Sequence, residues 1–409
     1  MRYGVLSCDV AAEEFIEIGT GLDGAAITLR HGERPVGFVL LPMRREATTR
    51  RIDVASLIDR ETVERLCVES MRAELAVPAD LTACGTLSIT VAICTKDRPA
   101  LLERCLGSLA ALDPASVRAL GMFEVLVVDN APTTDATKAV VASHPVVRYV
   151  REPRAGLNFA RNRALEEARG DLVAYLDDDI CVDPGWLRGL AQAWLAHPHA
   201  TLFTGQVLPF EIETQAQLIF EQRGGFRRGF KRVVFGNELA GDPFYPCSAG
   251  ILGTGANMTV RRDAALQLGG FDIALDTGAA LPGGGDLDMF YRVLRNGRRA
   301  VYEPASVVFH QHRRDMAGLR RQYRNSWGTA FMAFAVKSWC ADPPMRRRWS
   351  ALIARWFGKQ TTHLAKRLAG RHHRPATLII NEAAGGVVGM LGAYRRSQRR
   401  VERIARTAG

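Results

Sequence analysis

From residue 86 onward, short apolar segments alternate with segments of helical periodicity, and this alternation most constrains the fold. The strand-like segments cover 87–94, 124–128, 146–150 and 172–176. The helical segments between them cover 99–112, 135–142 and 158–168. Repeated strand–helix–strand units with short connections predict a doubly wound, mainly parallel α/β sheet. Ligands bind such sheets at the carboxyl ends of the strands, so the residues that follow each strand are candidates for a site.

Polar residues, and carboxylates above all, follow the predicted strands. Thr95 to Arg98 follow the first strand, Asp129 the second, and Asp177, Asp178 and Asp179 the fourth. A lone Asp after a strand is ordinarily a turn or helix cap, whereas three adjacent carboxylates repel one another unless a cation is present. Side chains at the first and third positions share one side of an extended segment. Asp177 and Asp179 can therefore bind one ion or one nucleotide together, and oxygen ligands favour Mg²⁺ or Mn²⁺.

The chain has no glycine-rich loop that would bind phosphates. The pattern G-x-x-x-x-G-K-[ST] is absent, and the first strand of the alternating region does not open into glycines. A divalent ion, helped by Arg154 and Arg161, would then have to offset the charge of a bound diphosphate. The segment 19–24 matches G-x-G-x-x-G, but a strand-like segment follows it where a dinucleotide site needs a helix, so we interpret it as a loop.

Several short motifs follow one another in a fixed order between residues 88 and 312. They are VAICTKDR (91–98), VVDN (127–130), GLNFARN (156–162), YLDDD (175–179), GANM (255–258), GGFD (269–272), GDLD (285–288) with Arg292, and His310. In this order and spacing they resemble the family-2 glycosyltransferases of the GT-A fold. The resemblance implies a GT-A-like, doubly wound, mainly parallel sheet and a nucleotide-sugar donor.

The resemblance also assigns the donor and metal sites. It implies that contacts to the donor nucleotide come from Thr95, Asp97, Arg98, Asp129, Arg161, Asp177 and Asp178. It implies a Mn²⁺ or Mg²⁺ site formed by Asp179, Asp177 and His310. A lone histidine is more commonly a hydrogen-bonded structural residue, so for His310 the ligand and structural interpretations stay open. His312 shares the face of the extended segment on which His310 lies.

A later acidic motif supplies the catalytic base in this family. Many members have Glu-Asp there, whereas this chain has Gly285-Asp286. The resemblance implies that Asp286 takes the proton of the acceptor hydroxyl in an inverting transfer, with Asp288 as the alternative base. Glycines 283–285 precede it, and they are either a loop that closes over the donor or a plain turn.

Positive charge is concentrated at the C-terminal end. Residues 313–409 contain 21 Lys and Arg against 4 Asp and Glu, whereas the first 312 residues contain 33 against 39. Such a basic region predicts an anionic partner or a solvated helical surface. An anionic membrane surface is the partner we expect, and nucleic acid is not, since no nucleic-acid-binding module is recognisable. The sequence contains no run of about 18 apolar residues, so we expect no spanning helix, and the first residues do not have the pattern expected of a signal peptide.

We therefore expect a cytoplasmic enzyme, alternatively one held peripherally on the inner face of the membrane. The predicted domains are a small N-terminal α+β domain at 1–84, a GT-A glycosyltransferase domain at 85–312 and a basic helical region at 313–409. The eight irregularly spaced cysteines predict free thiols. The expected acceptor is a glycan or lipid-linked glycan. Two other functions stay open, a nucleotidyltransferase that forms the sugar nucleotide and a non-catalytic polyanion-binding protein.

Overall fold

The fold comprises a small N-terminal sheet, a large central sheet with helices on both faces, and a C-terminal group of helices. A computed structural model describes residues 1–44, 48–75, 81–278, 281–371 and 374–408. All eight cysteines are free thiols, as predicted.

The N-terminal elements are β1 (Tyr3–Asp9), β2 (Phe15–Ile18), β3 (Gly24–His31), β4 (Arg34–Pro42), β5 (Arg50–Asp53) and α1 (Arg60–Leu75). β3 pairs antiparallel with β4 and parallel with β1, while β2 pairs with β5. Residues 19–24 lead directly into β3, so their glycine pattern is not a dinucleotide-binding loop, as we expected. A partly buried ion pair of 2.5 Å between Arg30 and Asp183 joins this unit to the central domain.

The central domain alternates strands and helices. Its first half contains β6 (Ser88–Thr95), α2 (Pro99–Ala110), α3 (Pro114–Arg118), β7 (Met122–Asn130), α4 (Ala136–Ala142), β8 (Val147–Glu152), α5 (Leu157–Glu167) and β9 (Leu172–Leu176). Its second half contains β10 (Ile180–Val182), α6 (Trp186–Ala196), β11 (Leu202–Pro209), α7 (Gln215–Gln222), β12 (Val233–Phe235), β13 (Asn257–Arg261), α8 (Arg262–Gln267), α9 (Gly285–Arg295) and β14 (Ala300–His310).

These strands form one mixed sheet in the order β10-β14-β11-β13-β9-β6-β7-β8, with β12 added to β14. β8, β7, β6 and β9 run parallel. β13 is antiparallel to both of its neighbours, and β14 is parallel to β11. The predicted fold class, a doubly wound and mainly parallel α/β sheet, is confirmed.

Alternate residues of the central strands face two different hydrophobic cores, because side chains alternate along a strand. Val91 and Val125 point to a core that includes α2 and α6. Ala92 and Leu126 point to the other core, which includes α5 and α9 and also the fully buried Trp349 from the C-terminal region. The basic C-terminal region is therefore part of the packed structure and not an extended tail.

The C-terminal helices are α10 (Met316–Gln322), α11 (Phe331–Ala341), α12 (Arg346–Leu368), α13 (Ala376–Val388) and α14 (Tyr394–Ala408). A π-helical segment at Tyr323–Ala330 joins α10 to α11, and a second at Gly389–Ala393 joins α13 to α14. Met332 and Phe334 of α11 are buried in the core beside α9.

One stretch, Ala376–Ile404, is long and apolar enough to cross a membrane by length and composition alone, and 39% of its apolar window is buried. This corrects the expectation that no such segment exists, although one helix of this kind is weak evidence for a span. The stretch contains the buried Glu382, which pairs with Arg223 and Arg374. It also leaves helical geometry at Leu391 and Gly392. A paired buried charge and a break are typical of a helix that packs on its own protein.

Candidate active site

A cavity of about 1130 Å³ opens at the carboxyl ends of β6 and β9. One wall consists of residues that follow the strands, among them Asp97, Asp177 and Asp179. The opposite wall comes from the C-terminal region and includes Trp327 and Trp356. The predicted strand-end site is therefore an open cleft, and a second region of the chain closes one side of it.

Strand pairing brings His310 to the acidic cluster. β10 runs antiparallel to the end of β14, and Ile180 lies opposite His310. Asp179 directly precedes Ile180, so its carboxylate Oδ1 is 3.2 Å from His310 Nε2. One ligand atom from each of Asp177, Asp179 and His310 lies within 4.8 Å of the other two. The three side chains that the sequence analysis assigned to a metal are thus adjacent, although His310 is more than 130 positions from the two aspartates in the sequence.

Burial and neighbouring charges shift the pKa values of the two carboxylates in this cluster in opposite directions. Burial raises the pKa of Asp177 to about 6, and the charge of Asp179 adds to the effect. Burial opposes ionisation of Asp179 too, but His310 and Arg98 outweigh it and lower the pKa of that carboxyl group. Asp179 Oδ1 is buried, and its 3.2 Å contact with His310 Nε2 does not reach hydrogen-bond geometry. A buried carboxylate oxygen without a well-formed hydrogen bond is costly, and a divalent cation would offset that cost.

The middle carboxylate of the three is held by the protein itself. Thr95 Oγ1 donates to Asp178 Oδ2 at 2.7 Å, and Arg98 Nη1 donates to Asp178 Oδ1 at 2.9 Å. Burial raises the pKa of Asp178 and the charge of Arg98 opposes that rise. Both oxygens of Asp178 therefore have partners. Thr95, Arg98 and Asp178 all line the cavity, and their contacts with a donor stay predictions.

The two acids predicted to hold the nucleoside differ in position. Asp97 lines the cavity with a positive φ of 53°, and its Oδ1 accepts from the backbone N of Thr133 at 2.9 Å. Asp129 is fully buried, accepts from Tyr149 at 3.0 Å, and is not among the residues that line the cavity. Asn130 lines the cavity beside it. The donor contact of Asp129 stays a prediction, and Asn130 is the neighbour that sequence reasoning passed over.

The two candidates for the base lie two residues apart in the first turn of α9 but face different surroundings. Asp286 lines the cavity, and its Oδ2 accepts from the backbone N of Gly255 at 2.9 Å. Asp288 is 1% exposed and is paired with Arg292 at 2.8 Å and with Lys337. Asp288 is not among the residues that line the cavity. The geometry therefore favours Asp286 as the carboxylate that can meet an acceptor.

A third acid, Asp276, also lines the cavity and bonds the residue before Asp286, and sequence reasoning missed it. Asp276 accepts from buried Arg161 at 3.1 Å and from the backbone N of Gly285 at 2.9 Å. Burial raises the pKa of Asp276 to about 6, which the charge of Arg161 opposes. A Cβ at Gly285 would lie 2.3 Å from Asn158, so glycine is required there by close packing. Asp276 belongs to no motif that we used, and only its fold position reveals it.

The C-terminal wall also escaped sequence analysis. Arg223 lies over the ring of Trp327 at 3.9 Å and pairs with Glu382 of α13. Arg228 lines the cavity as well and donates to the backbone oxygen of Gly250 at 3.0 Å. Both arginines belong to the central domain, outside the region 313–409 in which the charge count located basic residues. No sequence signal placed these arginines, Trp327 or Trp356 at the cleft.

Comparisons with known proteins agree with these features. The family model "Glycosyl transferase family 2" matches residues 90–243, and the model "Glycosyl transferase family group 2" matches residues 172–369. The succinoglycan biosynthesis protein ExoM of Rhizobium meliloti is 28% identical over 319 residues, which are 75% of this chain and 94% of that protein.

Two further similarities are more distant. The pre-mycofactocin glycosyltransferase of Mycobacterium tuberculosis is 26% identical over 227 residues, covering 55% of this chain and 43% of that protein. The solved structure of the mannosyltransferase PcManGT from Pyrobaculum calidifontis, in complex with GDP-Man and Mn²⁺, is 19% identical with a TM-score of 0.46. That superposition covers 80% of this chain and 94% of the mannosyltransferase.

Proposed function

The chain belongs to glycosyltransferase family 2, and we propose that it moves a sugar from a nucleoside-diphosphate donor to an acceptor hydroxyl with inversion at the anomeric carbon. One observation carries the proposal. A group of three metal-ligating side chains and a separate carboxylate at a helix start line the same cavity at the carboxyl ends of the strands. These are the parts that a metal-dependent transfer from an activated donor needs.

The donor's diphosphate is proposed to bind beside Asp177, Asp179 and His310. The two carboxylates fit a divalent ion, which would be Mn²⁺ or Mg²⁺, and Asp179 Oδ1 has no well-formed hydrogen bond that the ion would have to replace. The imidazole nitrogen favours Mn²⁺, because Mg²⁺ prefers oxygen ligands. When bound, such an ion offsets the negative charge that develops on the leaving diphosphate. Asp97 lines the same cavity and is suited to a hydrogen bond with the nucleoside, whereas the side chain of Asn130 already bonds the backbone of Arg154 and Gly156.

Asp286 is the proposed base. The backbone N–H groups of Gly255 and Leu287 each donate to one of its oxygens at 2.9 Å, so the carboxylate is held in one orientation. It is partly exposed to the cavity and can take the proton of an acceptor hydroxyl. The acceptor oxygen, as it loses this proton, attacks the anomeric carbon from the face opposite the leaving group. A single displacement of this kind inverts the configuration and needs no covalent intermediate on the protein.

An assay of the released product tests this proposal. The purified chain is incubated with Mn²⁺ and a panel of nucleotide sugars, with and without glycan acceptors, beside the Asp179→Ala variant. We expect release of a nucleoside diphosphate from one donor, by transfer to acceptor or slowly to water, and none from the variant. Release of pyrophosphate from a nucleoside triphosphate and a sugar phosphate would instead identify a nucleotidyltransferase. No turnover with any donor would favour a non-catalytic role.

The acceptor is proposed to be a glycan or lipid-linked glycan that the enzyme meets at the cytoplasmic face of a membrane. α13 exposes two apolar side chains seven residues apart, on one helix face, and the segment after it exposes a third. They are Ile380, Val387 and Leu391, with exposed fractions of 52%, 48% and 69%. The one charged residue of α13, Glu382, is buried and paired.

The neighbouring helices are strongly basic. α12, which packs against α13, carries seven Lys and Arg and no acid, and α14 carries six Arg and one Glu. An exposed apolar strip with basic helices beside it matches the surface of an anionic bilayer, in which acyl chains lie beneath charged headgroups. Trp356 of α12 and Arg400 of α14 also line the cavity. An acceptor held at such a surface would therefore lie close to the proposed base.

A further inference from the structure

A second histidine and a glutamate form a hydrogen-bonded chain behind His310. His310 Nδ1 and His312 Nδ1 are 3.2 Å apart, and His312 Nε2 is 2.7 Å from Glu221 Oε1. The other oxygen of Glu221, Oε2, accepts a hydrogen bond from Arg227. His312 and Glu221 are 4% and 1% exposed, so the chain runs from the metal-ligand cluster into the protein interior.

The hydrogen positions in this chain follow from the chemistry of its ends. Arg227 can only donate, and the Glu221 carboxylate can only accept, so His312 Nε2 must carry a hydrogen. A neutral imidazole has one donor and one acceptor nitrogen, which makes His312 Nδ1 an acceptor. His310 Nδ1 must then donate to it. The second nitrogen of His310, Nε2, lies 3.2 Å from Asp179 Oδ1 and is the ring atom that these hydrogen bonds leave for a cation.

Packing fixes the rings in this arrangement. The ring of His312 lies 4.5 Å from that of Phe220 and 5.7 Å from that of Phe226. Phe226 also packs edge-on against His310 at 5.3 Å. These contacts restrain the rotation of both imidazoles, because protein interiors are close-packed.

We propose that His312 and Glu221 are positioning residues that hold His310 in the single tautomer able to present Nε2 to a divalent cation. Histidines that ligate metals generally donate their second ring N–H to a carboxylate or carbonyl, and that partner strengthens metal binding. Here the partner is another histidine, His312, whose own tautomer is fixed by the buried carboxylate of Glu221. The inference rests on the metal site of the proposed function.

The variant Glu221→Gln should reverse the direction of these hydrogen bonds, because glutamine has nearly the same shape as glutamate but carries a donor. Arg227 has only donors, so it retains the amide oxygen and turns the amide NH₂ toward His312. His312 Nε2 then has to accept, its Nδ1 has to donate, and the hydrogen of His310 moves to Nε2, where it blocks metal binding. Glu303→Gln is the matched control. Like Glu221, Glu303 is 1% exposed and paired with an arginine, Arg232, but it takes no part in the hydrogen bonds behind His310.

Two measurements test the role. Titration with Mn²⁺ alone, followed by the EPR signal of the free ion, is expected to show about 10- to 100-fold weaker binding for Glu221→Gln and unchanged binding for Glu303→Gln. Nitrogen-15 NMR of the histidines in the metal-free protein is expected to show hydrogen on His312 Nε2 in the wild type and on Nδ1 in Glu221→Gln.

The outcomes distinguish the positioning role of His312 and Glu221 from the metal site itself. Equal Mn²⁺ affinity of Glu221→Gln and the wild type would overturn the positioning role and leave the metal site standing. An unchanged His312 tautomer in that variant would overturn it as well. A wild-type protein that takes up no Mn²⁺ would contradict the metal site itself, and the positioning role with it.

Discussion

The two walls of the cavity are built by different means. The strand-end wall owes its side chains to local sequence, because Asp177 and Asp179 are the first and third residues after β9 and Asp97 is the second residue after β6. The C-terminal wall is made by helices that pack across the central domain through Trp349, Met332 and Phe334. Chemistry is therefore concentrated on a wall that the sheet topology defines, and tertiary packing supplies the wall opposite.

This difference teaches what each kind of substitution should do. A change at a strand end removes a ligand or a proton acceptor and leaves the fold almost intact. A change at the base of the C-terminal wall alters stability first and the site second. The predictions below separate these two effects, from the largest expected change to the smallest.

Asp179→Ala should produce the largest loss. It removes a carboxylate of the proposed metal site, so metal-dependent donor binding is expected to be lost. Stabilisation of the leaving group worth several kcal/mol corresponds to a loss of kcat/KM on the order of 10³-fold or more. Steady-state kinetics with Mn²⁺ measures it. Activity and Mn²⁺ dependence close to the wild type would remove Asp179 from the proposed site.

Asp286→Asn should reduce catalysis, whereas Asp288→Asn should reduce stability. Asp286→Asn is expected to bind the donor normally and to lose transfer by about 10²- to 10⁴-fold, because the acceptor proton has no base. Asp288→Asn breaks buried pairs with Arg292 and Lys337 and should cost about 3–5 kcal/mol of folding free energy. Transfer assays and urea unfolding measure the two effects. An active, destabilised Asp286→Asn would reverse the assignment.

Trp349→Ala tests whether the C-terminal wall depends on the common core. Trp349 is fully buried and contacts the rings of Tyr291 and Phe334 edge-on at 5.1 and 5.2 Å. Its truncation should reduce the free energy of unfolding by about 3–5 kcal/mol. Chemical denaturation measures it, with Trp339→Ala at the surface as the control. Equal, small effects of both changes would show that the C-terminal helices are not part of the core.

Removing surface charge from α14 should have the smallest effect. Arg395 and Arg399 are exposed and share one helix face. The double change to Ser should weaken binding to vesicles with anionic lipid by about 1 kcal/mol per arginine and leave stability unchanged. Co-sedimentation at low salt measures it, with the exposed Arg118 and Lys138 changed to Ser as the control. Equal losses in both double variants would indicate non-specific attraction instead of a docking face.

Sequence reasoning predicted the sheet and one wall, because strand periodicity is local and ligands collect at strand ends. It placed Asp177, Asp179 and His310 in one group, which the register of β10 on β14 brings together. It missed Asp276 and the helices of the second wall, since their positions depend on contacts between residues far apart in the chain. It chose Asp286 as the base and kept Asp288 as the alternative, and burial and pairing are what distinguish the two carboxylates.

Thermal unfolding with nucleoside diphosphates tests the central claim most directly. UDP, GDP, dTDP and CDP are each added with and without Mn²⁺, since a ligand that binds only the folded state raises Tm. The account predicts that one of them raises Tm, that the rise needs Mn²⁺, and that Asp179→Ala abolishes it. A rise that is the same without Mn²⁺, or no rise with any diphosphate, would contradict a metal-dependent donor site at the ends of these strands.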